Sequence, residues 1–337
     1  MRFGYSETCL AHDTGERHPE TPDRLRAIRR GLARTHGVEY VEADPASLDD
    51  VERVHDPDYL EAVRQFCANG GGKWDPDTLA TEGTWEAALA SAGLAEWAAR
   101  EAIEGAGSHE TPFSIGRPPG HHAIVDDAMG FCFINNAAVA ARAVIASGLA
   151  ETAAIIDWDV HHGNGIQDIF YGDDDVFYAS IHEDGLYPGT GEIDERGDGE
   201  ADGTTLNLPL PAGAGDPEYR AAFEEVVVPL LEDYHPDLLL ISAGFDAHRH
   251  DPISRMRVST EGYGYFTTIV RSLANNIDAG LGFVLEGGYS LDMLAEGVEM
   301  VHEVFAGRDP VTPETDVSDR SREVIDAVKA AHGLGSK

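Results

Sequence analysis

Asp157, Asp159 and His161 stand at alternate positions of Asp157-Trp158-Asp159-Val160-His161-His162, directly after the apolar run Ala153–Ile156. If a strand continues through this segment, a period of two puts those three side chains on one face and Trp158, Val160 and His162 on the other. Two carboxylates and an imidazole at a strand end suit a borderline divalent metal such as zinc. A polar strand end with capping aspartates would carry the same residues. Asp246, in Ser242-Ala243-Gly244-Phe245-Asp246-Ala247-His248, follows another apolar run. Alone it reads as a helix cap. Joined to Asp159 and His161 it gives a three-ligand set that leaves a position for water or substrate.

His121 and His122 follow Pro118-Pro119-Gly120. Adjacent histidines on a stiff turn could act as general base and electrostatic partner, or simply face solvent. Tyr289 follows Glu286-Gly287-Gly288. The glycines let the backbone approach a ligand, and a phenol there could donate to a developing oxyanion; packing against a helix is the other reading. Gly163-Asn164-Gly165 after a strand is reminiscent of a dinucleotide-binding turn, but position 168 is Asp where that fingerprint needs glycine. No P-loop, GxSxG elbow or HExxH helix occurs.

These residues need elements to hold them. Strands are expected over Arg2–Tyr5, Phe113–Ile115, Ala153–Asp157, Val176–Ile181, Leu238–Ser242 and Gly282–Leu285. Helices are expected over Pro22–Arg34, Thr84–Ile103, Asn135–Ser147, Pro217–Asp233, Thr260–Asp278 and Leu291–Phe305, the second of them amphipathic. Thr21 before Pro22 reads as the cap of the first helix. Alternating strands and helices imply an α/β fold with a mostly parallel sheet covered on both faces. Sites in such sheets lie beyond the carboxyl ends of the strands, where four of the expected strands run into the polar blocks. Gly185–Gly203 reads as a loop near the site mouth, and the stretch from Arg308 as a polar loop with a short helix over Ser318–Ala331.

The chain has 337 residues with no repeat or linker, and its 42% hydrophobic content excludes a disordered chain. A formal charge of −37, with Lys73, Lys329 and Lys337 the only lysines, argues against nucleic-acid binding. Acids spread along the whole chain suggest adaptation to concentrated salt, as in a halophile. The melting temperature is therefore expected to rise with KCl as self-repulsion is screened, which thermal denaturation in a KCl series checks. Cys9, Cys67 and Cys132 make no disulfide framework, the start MRFGYSETCL has no apolar signal core, and no uncharged apolar run reaches membrane-spanning length. A soluble cytoplasmic protein is expected.

Five groups of motifs, HDTGERHPETPDRLRAI, RPPGHHA with MGFCFINNAA, DWDVHHGNG, SAGFDAH and LEGGY, run in order from residue 12 to the region of residue 292. Together they resemble the histone deacetylase superfamily, in wording closest to its class II and bacterial–archaeal acetylpolyamine amidohydrolase branch. The resemblance implies one arginase/deacetylase-type α/β domain over 1–337 with a central eight-stranded parallel sheet, the stretch 308–337 being peripheral. It implies Zn²⁺ on Asp159, His161 and Asp246, His122 as general base and acid, His121 as an electrostatic partner held by Asp157, and Tyr289 polarising the acetyl carbonyl. Asn164 falls where some relatives carry an aspartate beside the base. Gly130, Phe131 and Tyr187 match an acyl-lysine tunnel, with Tyr187 in place of the more usual Phe. Arg24 matches an arginine near an internal acetate channel, where a surface salt bridge is the plainer reading. A structural K⁺ would involve Asp157, Asp159, His161, Ser180 and Ile181.

The implied reaction is removal of acetyl groups from N-acetyl-lysine side chains of proteins. Hydrolysis of acetylpolyamines or other small acetylamides uses the same chemistry, and only the rim separates the two. The polyamine branch usually carries an acidic residue where this chain has apolar Ile253, although Asp75, Glu183 or Asp184 could reach the mouth. A non-catalytic acetyl-lysine reader ranks lower because the whole candidate set is present. An arginase-like dimanganese hydrolase ranks lower because the HH and GGY blocks do not suit it. The partner is an acetylated protein or small acetylated amine, with no membrane; homo-oligomerisation stays open.

Overall fold

The computed structural model describes residues 1–15, 17–105 and 111–335. Glu16 of the first motif block and Ser336 and Lys337 of the C-terminal stretch lie outside the described residues. Ten strands occur among the described residues: β1 (Arg2–Gly4), β2 (Glu39–Val41), β3 (Gly72–Lys73), β4 (Leu79–Ala80), β5 (Pro112–Ser114), β6 (Ala153–Asp157), β7 (Val176–Glu183), β8 (Thr205–Leu210), β9 (Leu238–Ala243) and β10 (Gly280–Leu285). Eight form one all-parallel sheet in the order β2-β1-β5-β10-β9-β6-β7-β8, while β3 and β4 make a separate antiparallel pair. This is the expected eight-stranded α/β architecture.

Burial on both faces explains the unbroken apolar runs of the inner strands. Along β6, Ala154 and Ile156 join one core, and Ala153 and Ile155 the other. The first core is closed by the helices Asp23–Leu32, Thr260–Asn276 and Leu291–Phe305, and the second by Pro57–Ala68, Thr84–Glu104 and Asn136–Ala146. Helix Thr84–Glu104 was expected to bury one face. Its alanine-rich sequence instead lets it lie between Asn136–Ala146 and β10, buried over most of its circumference.

Sequence and structure differ at the edges. β2 is short and largely exposed, and β8 contains Pro209, tolerated because β8 is an edge strand that can spare a ladder donor. Neither was expected from sequence. The segment Asp216–Tyr234 is helical as expected but contains a π-turn at Phe223–Val227. Thr21 does not cap the first helix. Pro22 already has helical φ and ψ and occupies the cap position, so Thr21 contributes only its carbonyl, to the Arg24 N–H at 3.1 Å. The C-terminal helix Asp319–Ala331 packs beside β8. Among the described residues no helix is long and apolar enough to cross a membrane, and Cys9, Cys67 and Cys132 are buried and unpaired.

The strand order creates the site. From β5 the chain passes to β6, leaving a gap that β9 and β10 later fill. The carboxyl ends of the four neighbours β5, β10, β9 and β6 therefore meet at one crevice, the position where parallel sheets bind ligands.

Candidate active site

β6 ends at Asp157, the end expected for this strand, so no pleat runs on through His161 to set the alternation. The alternation survives by another route. Asp157 Oδ1 accepts the Asp159 N–H at 3.1 Å, and Asp159 Oδ1 accepts the His161 N–H at 2.9 Å. Each aspartate thus bonds the amide two residues on, and two successive Asx turns bring the three side chains together. Trp158 and Val160 point into the core, and His162 turns away to Thr190 and Gln167. Asp246 enters from the turn after β9, its Oδ1 accepting the Val160 N–H at 2.9 Å.

His161 Nδ1 lies 3.0 Å from Asp159 Oδ1 and 3.3 Å from Asp246 Oδ2. Donor atoms of Asp159, His161 and Asp246 all fall within 4.8 Å of one another. Burial works against charge on His161, yet Asp159 and Asp246 overcome it and raise its pKa to about 10. Two buried carboxylates therefore draw a proton onto the imidazole between them, and a divalent cation would displace that proton. Asp246 Oδ2 accepts no well-formed hydrogen bond although fully buried. The orphaned oxygen and the donor set both fit a metal ion. Gly287 is required beside it, because a Cβ there would stand 2.1 Å from Asp246 Oδ2.

The two histidines differ sharply. His121 Nδ1 lies 3.0 Å from Asp157 Oδ2, which also accepts from the Tyr178 hydroxyl at 3.2 Å. Burial disfavours a charged His121, but Asp159 and Asp157 raise its pKa to about 10. His122 Nδ1 donates to Asn164 Oδ1 at 2.8 Å, the tautomer an amide oxygen demands, which leaves Nε2 as an acceptor. Burial pushes the His122 pKa well down, and the His121 and His161 charges add to this. Environments that drive two neighbouring groups apart in pKa are a mark of acid–base chemistry. Glu286 holds the histidine loop: its Oε2 accepts the N–H groups of Gly120 at 2.8 Å and His121 at 3.2 Å.

A cavity of about 580 Å³ opens onto His122, His161 and Tyr289. Gly130, Phe131, Tyr187 and Ile253 are among the residues that line it. Phe131 has φ 72°, a left-handed conformation unusual for a bulky residue, which turns its ring toward His18 and Tyr289. Gly130 must lack a side chain, because a Cβ would meet the His122 ring at 2.3 Å. The Tyr187 ring stands edge-on to His122 at 5.1 Å.

Of the carboxylates considered for the mouth, none lines the cavity. Glu183 is 1% exposed and paired with Arg255 at 2.5 Å, because β7 extends two residues beyond its expected end and carries Glu183 into the protein. Asp75 closes a turn by accepting from Asp77 N–H at 2.8 Å and from Thr78 N–H at 2.5 Å, and Asp184 stays on the exposed loop. Asp77, Lys73 and Arg17 line the mouth instead. For the expected potassium site, the β6–β7 register sets Asp157 beside Ser180, and Ser180 Oγ lies 2.9 Å from His182 Nδ1.

Arg24 forms no surface salt bridge. It is fully buried, donates to the carbonyls of Gly288 at 2.8 Å and of Glu286, and lies 5.1 Å from the Tyr289 ring. Glu20 pairs with Arg24 at 3.1 Å and with Arg117 at 2.6 Å, all three buried. Burial opposes the Glu20 charge, but Arg117 holds its pKa well below the usual range. That stability is present above the unfolded carboxyl pKa and lost as pH falls through the folded one. Glu20→Gln leaves two buried arginines without their counter-charge and is expected to cost about 3–5 kcal/mol, read by urea denaturation at pH 7.

Glu20, Arg117, Tyr178, Asp251 and Glu286 are site-supporting residues that sequence reasoning missed. Glu20, Arg117 and Glu286 stood inside the motif blocks, where proximity to the histidines and Tyr289 was the available signal.

The fold and this cluster define a class: a parallel α/β protein with an Asp-His-Asp group able to bind metal at the foot of a cavity. A family profile described as "Histone deacetylase domain" matches residues 18–305. The chain belongs to the histone deacetylase family, and with it to the hydrolases that act on amide bonds. A "Histone deacetylase-like amidohydrolase" of Pseudomonas aeruginosa is 38% identical over 366 residues, covering 98% of this chain and 96% of that protein. A "Probable deacetylase" of Methanothermobacter thermautotrophicus is 41% identical over 282 residues, covering 83% of each. The crystal structure of the HDA15 HD domain superposes with a TM-score of 0.91 at 36% identity, over 98% of this chain and 93% of that one.

Proposed function

We propose that this protein is a zinc-dependent amidohydrolase that removes acetyl groups from N-acetyl-lysine side chains of proteins. One observation carries the reading: a neutral His122 with a free Nε2 faces the same cavity as His161 and Tyr289. Zn²⁺ on Asp159, His161 and Asp246 would supply Lewis acidity to the acetyl carbonyl and to a water. His122 Nε2 then takes the water's proton as the oxygen attacks the acetyl carbon. Tyr289 donates to the oxyanion of the tetrahedral intermediate. The imidazolium, held by Asn164, returns its proton to the leaving amine. His121, charged and anchored by Asp157, offsets negative charge at the site throughout. Gly130, Phe131 and Tyr187 wall the acyl-lysine stem. K⁺ would sit beside Asp157, Asp159, His161, Ser180 and Ile181.

The rim supports protein over polyamine as substrate. A distal ammonium needs a carboxylate at the mouth, yet Ile253 is apolar and Glu183 is buried in an ion pair. Asp77 is offset there by Lys73 and Arg17. The unpaired buried cysteines suit a reducing cytoplasm, and the acidic composition suits high salt. The test is kcat/KM of the metal-replete protein in high KCl for an acetyl-lysine peptide and acetylspermidine. The peptide is expected to be preferred; preference for acetylspermidine overturns the substrate assignment.

Asn164→Asp supplies a further test. An amide stabilises an imidazolium less than a carboxylate would. The added charge raises the His122 pKa, so its base form is lost at higher pH. The acid limb of the kcat/KM–pH profile is expected to move upward, and an unmoved limb removes Asn164 from this role.

A further inference from the structure

Asp251 lies five residues after Asp246 and directly before Pro252. It is 8% exposed. Its Oδ2 accepts the N–H of Tyr289 at 2.7 Å and of Ser290 at 3.1 Å, while its Oδ1 accepts the N–H of Ile253 at 3.1 Å. One side chain therefore closes a turn in its own loop through Oδ1 and ties that loop through Oδ2 to the one that carries the phenol, and Ile253 and Tyr289 both line the cavity.

The Tyr289 loop depends on such a hold. Gly288 has φ 120°, a conformation that favours glycine, so no side chain stiffens the backbone just before Tyr289. Among the described residues the Tyr289 hydroxyl has no hydrogen-bond partner, and its ring lies near Arg24 and Phe131. Where the hydroxyl stands is thus set by the backbone beneath it. Gly287 N–H is tied to Asp159 Oδ2 at 2.8 Å on one side of Gly288, and Asp251 grips the amides on the other. Burial, with Asp246 adding to it, pushes the Asp251 pKa up to about 7, while the three amides pull the other way by favouring the carboxylate.

We propose that Asp251 is a positioning residue for the reaction: by gripping the amides of Tyr289, Ser290 and Ile253 with one carboxylate, it fixes the Tyr289 hydroxyl relative to His122 and couples that placement to the cavity mouth. Its effect on rate rests on the deacetylase reading; its effect on the tyrosine does not. Asp251→Asn is nearly isosteric but has one acceptor oxygen in place of two, so it cannot serve both the Ile253 amide and the Tyr289 and Ser290 amides. Asp251→Glu keeps the carboxyl group and displaces it by one methylene.

The experiment has two readouts. Steady-state kinetics on an acetyl-lysine peptide are expected to show kcat reduced about 10–100-fold in both variants, with KM within about twofold, because misplacing a donor by an ångström acts on the transition state. Combining Asp251→Asn with Tyr289→Phe is expected to be no slower than Tyr289→Phe alone, since the first acts through the second. Incorporated 3-fluorotyrosine gives a ¹⁹F resonance for Tyr289, assigned by its disappearance in Tyr289→Phe. That resonance is expected to shift and broaden in both Asp251 variants, measured without substrate, while the melting temperature stays within a few degrees. Additive rate losses, or an unmoved tyrosine resonance, overturn the proposal. If the unmodified protein fails to cleave the peptide, the deacetylase reading falls, and the ¹⁹F resonance still decides whether Asp251 holds Tyr289.

Discussion

Tyr289→Phe is expected to lower kcat about 10²–10³-fold with KM little changed, the usual effect of removing one oxyanion donor. The substitution removes a single oxygen. The ring keeps its contacts with Arg24 at 5.1 Å and with Phe131 at 5.8 Å, so stability should barely move. The hydroxyl is a donor across the working pH range: burial pushes its pKa well up, and Asp246 adds to this against the pull of Arg24. Ionisation of the phenol therefore should not set the alkaline limb of the wild-type profile. The loss should also depend on the acyl group. A trifluoroacetyl substrate forms an intrinsically more stable oxyanion and should suffer less from the missing donor. Near-wild-type kcat on the acetyl substrate removes Tyr289 from the oxyanion role.

The central strands were legible in the sequence because burial on both faces leaves an unmistakable apolar run ending abruptly in polar residues. β6, β9 and β10 all have this form, and their ends carry the candidate site. The edges were not legible. β2 has three residues and little burial, and Pro209 disguises β8. The period of two in Asp157-Trp158-Asp159-Val160-His161 was the correct signal with the wrong cause. Aspartate side chains that accept from the amide two residues on impose the same alternation as a pleat.

Residues that act through backbone amides escaped notice for a different reason. Asp251 and Glu286 each grip amides far away in sequence, and no spacing rule reports a contact of 38 or 166 residues' separation. Arg24 was open to misreading because Glu20 stands four residues before it, the spacing of a surface pair. Arg24 in fact shares its helix face with Ala27, Ile28 and Gly31, all buried, so the pair points inward beneath Tyr289.

His122→Ala is expected to lower kcat about 10³–10⁴-fold, near the upper end for loss of an acid–base group, because one imidazole would serve both proton transfers. His121→Ala should cost less, about tenfold, by the same measure of a group that moves no proton. The asymmetry follows from the surroundings of the two rings. His121 faces Asp157 and Asp159, which raise its pKa to about 10 against the cost of burial, so it is already charged at neutral pH and has no lone pair to offer. His122 is pushed the other way by burial and by its cationic neighbours, and Asn164 fixes the proton on Nδ1. Only His122 can accept at Nε2 when the water attacks. The two variants should be compared at one pH, with metal content measured in each, so that a lost ion is not mistaken for a lost base. If His121→Ala proves the more damaging with metal retained, the proton-accepting role passes to His121, and the Asn164 contact becomes a purely orienting one.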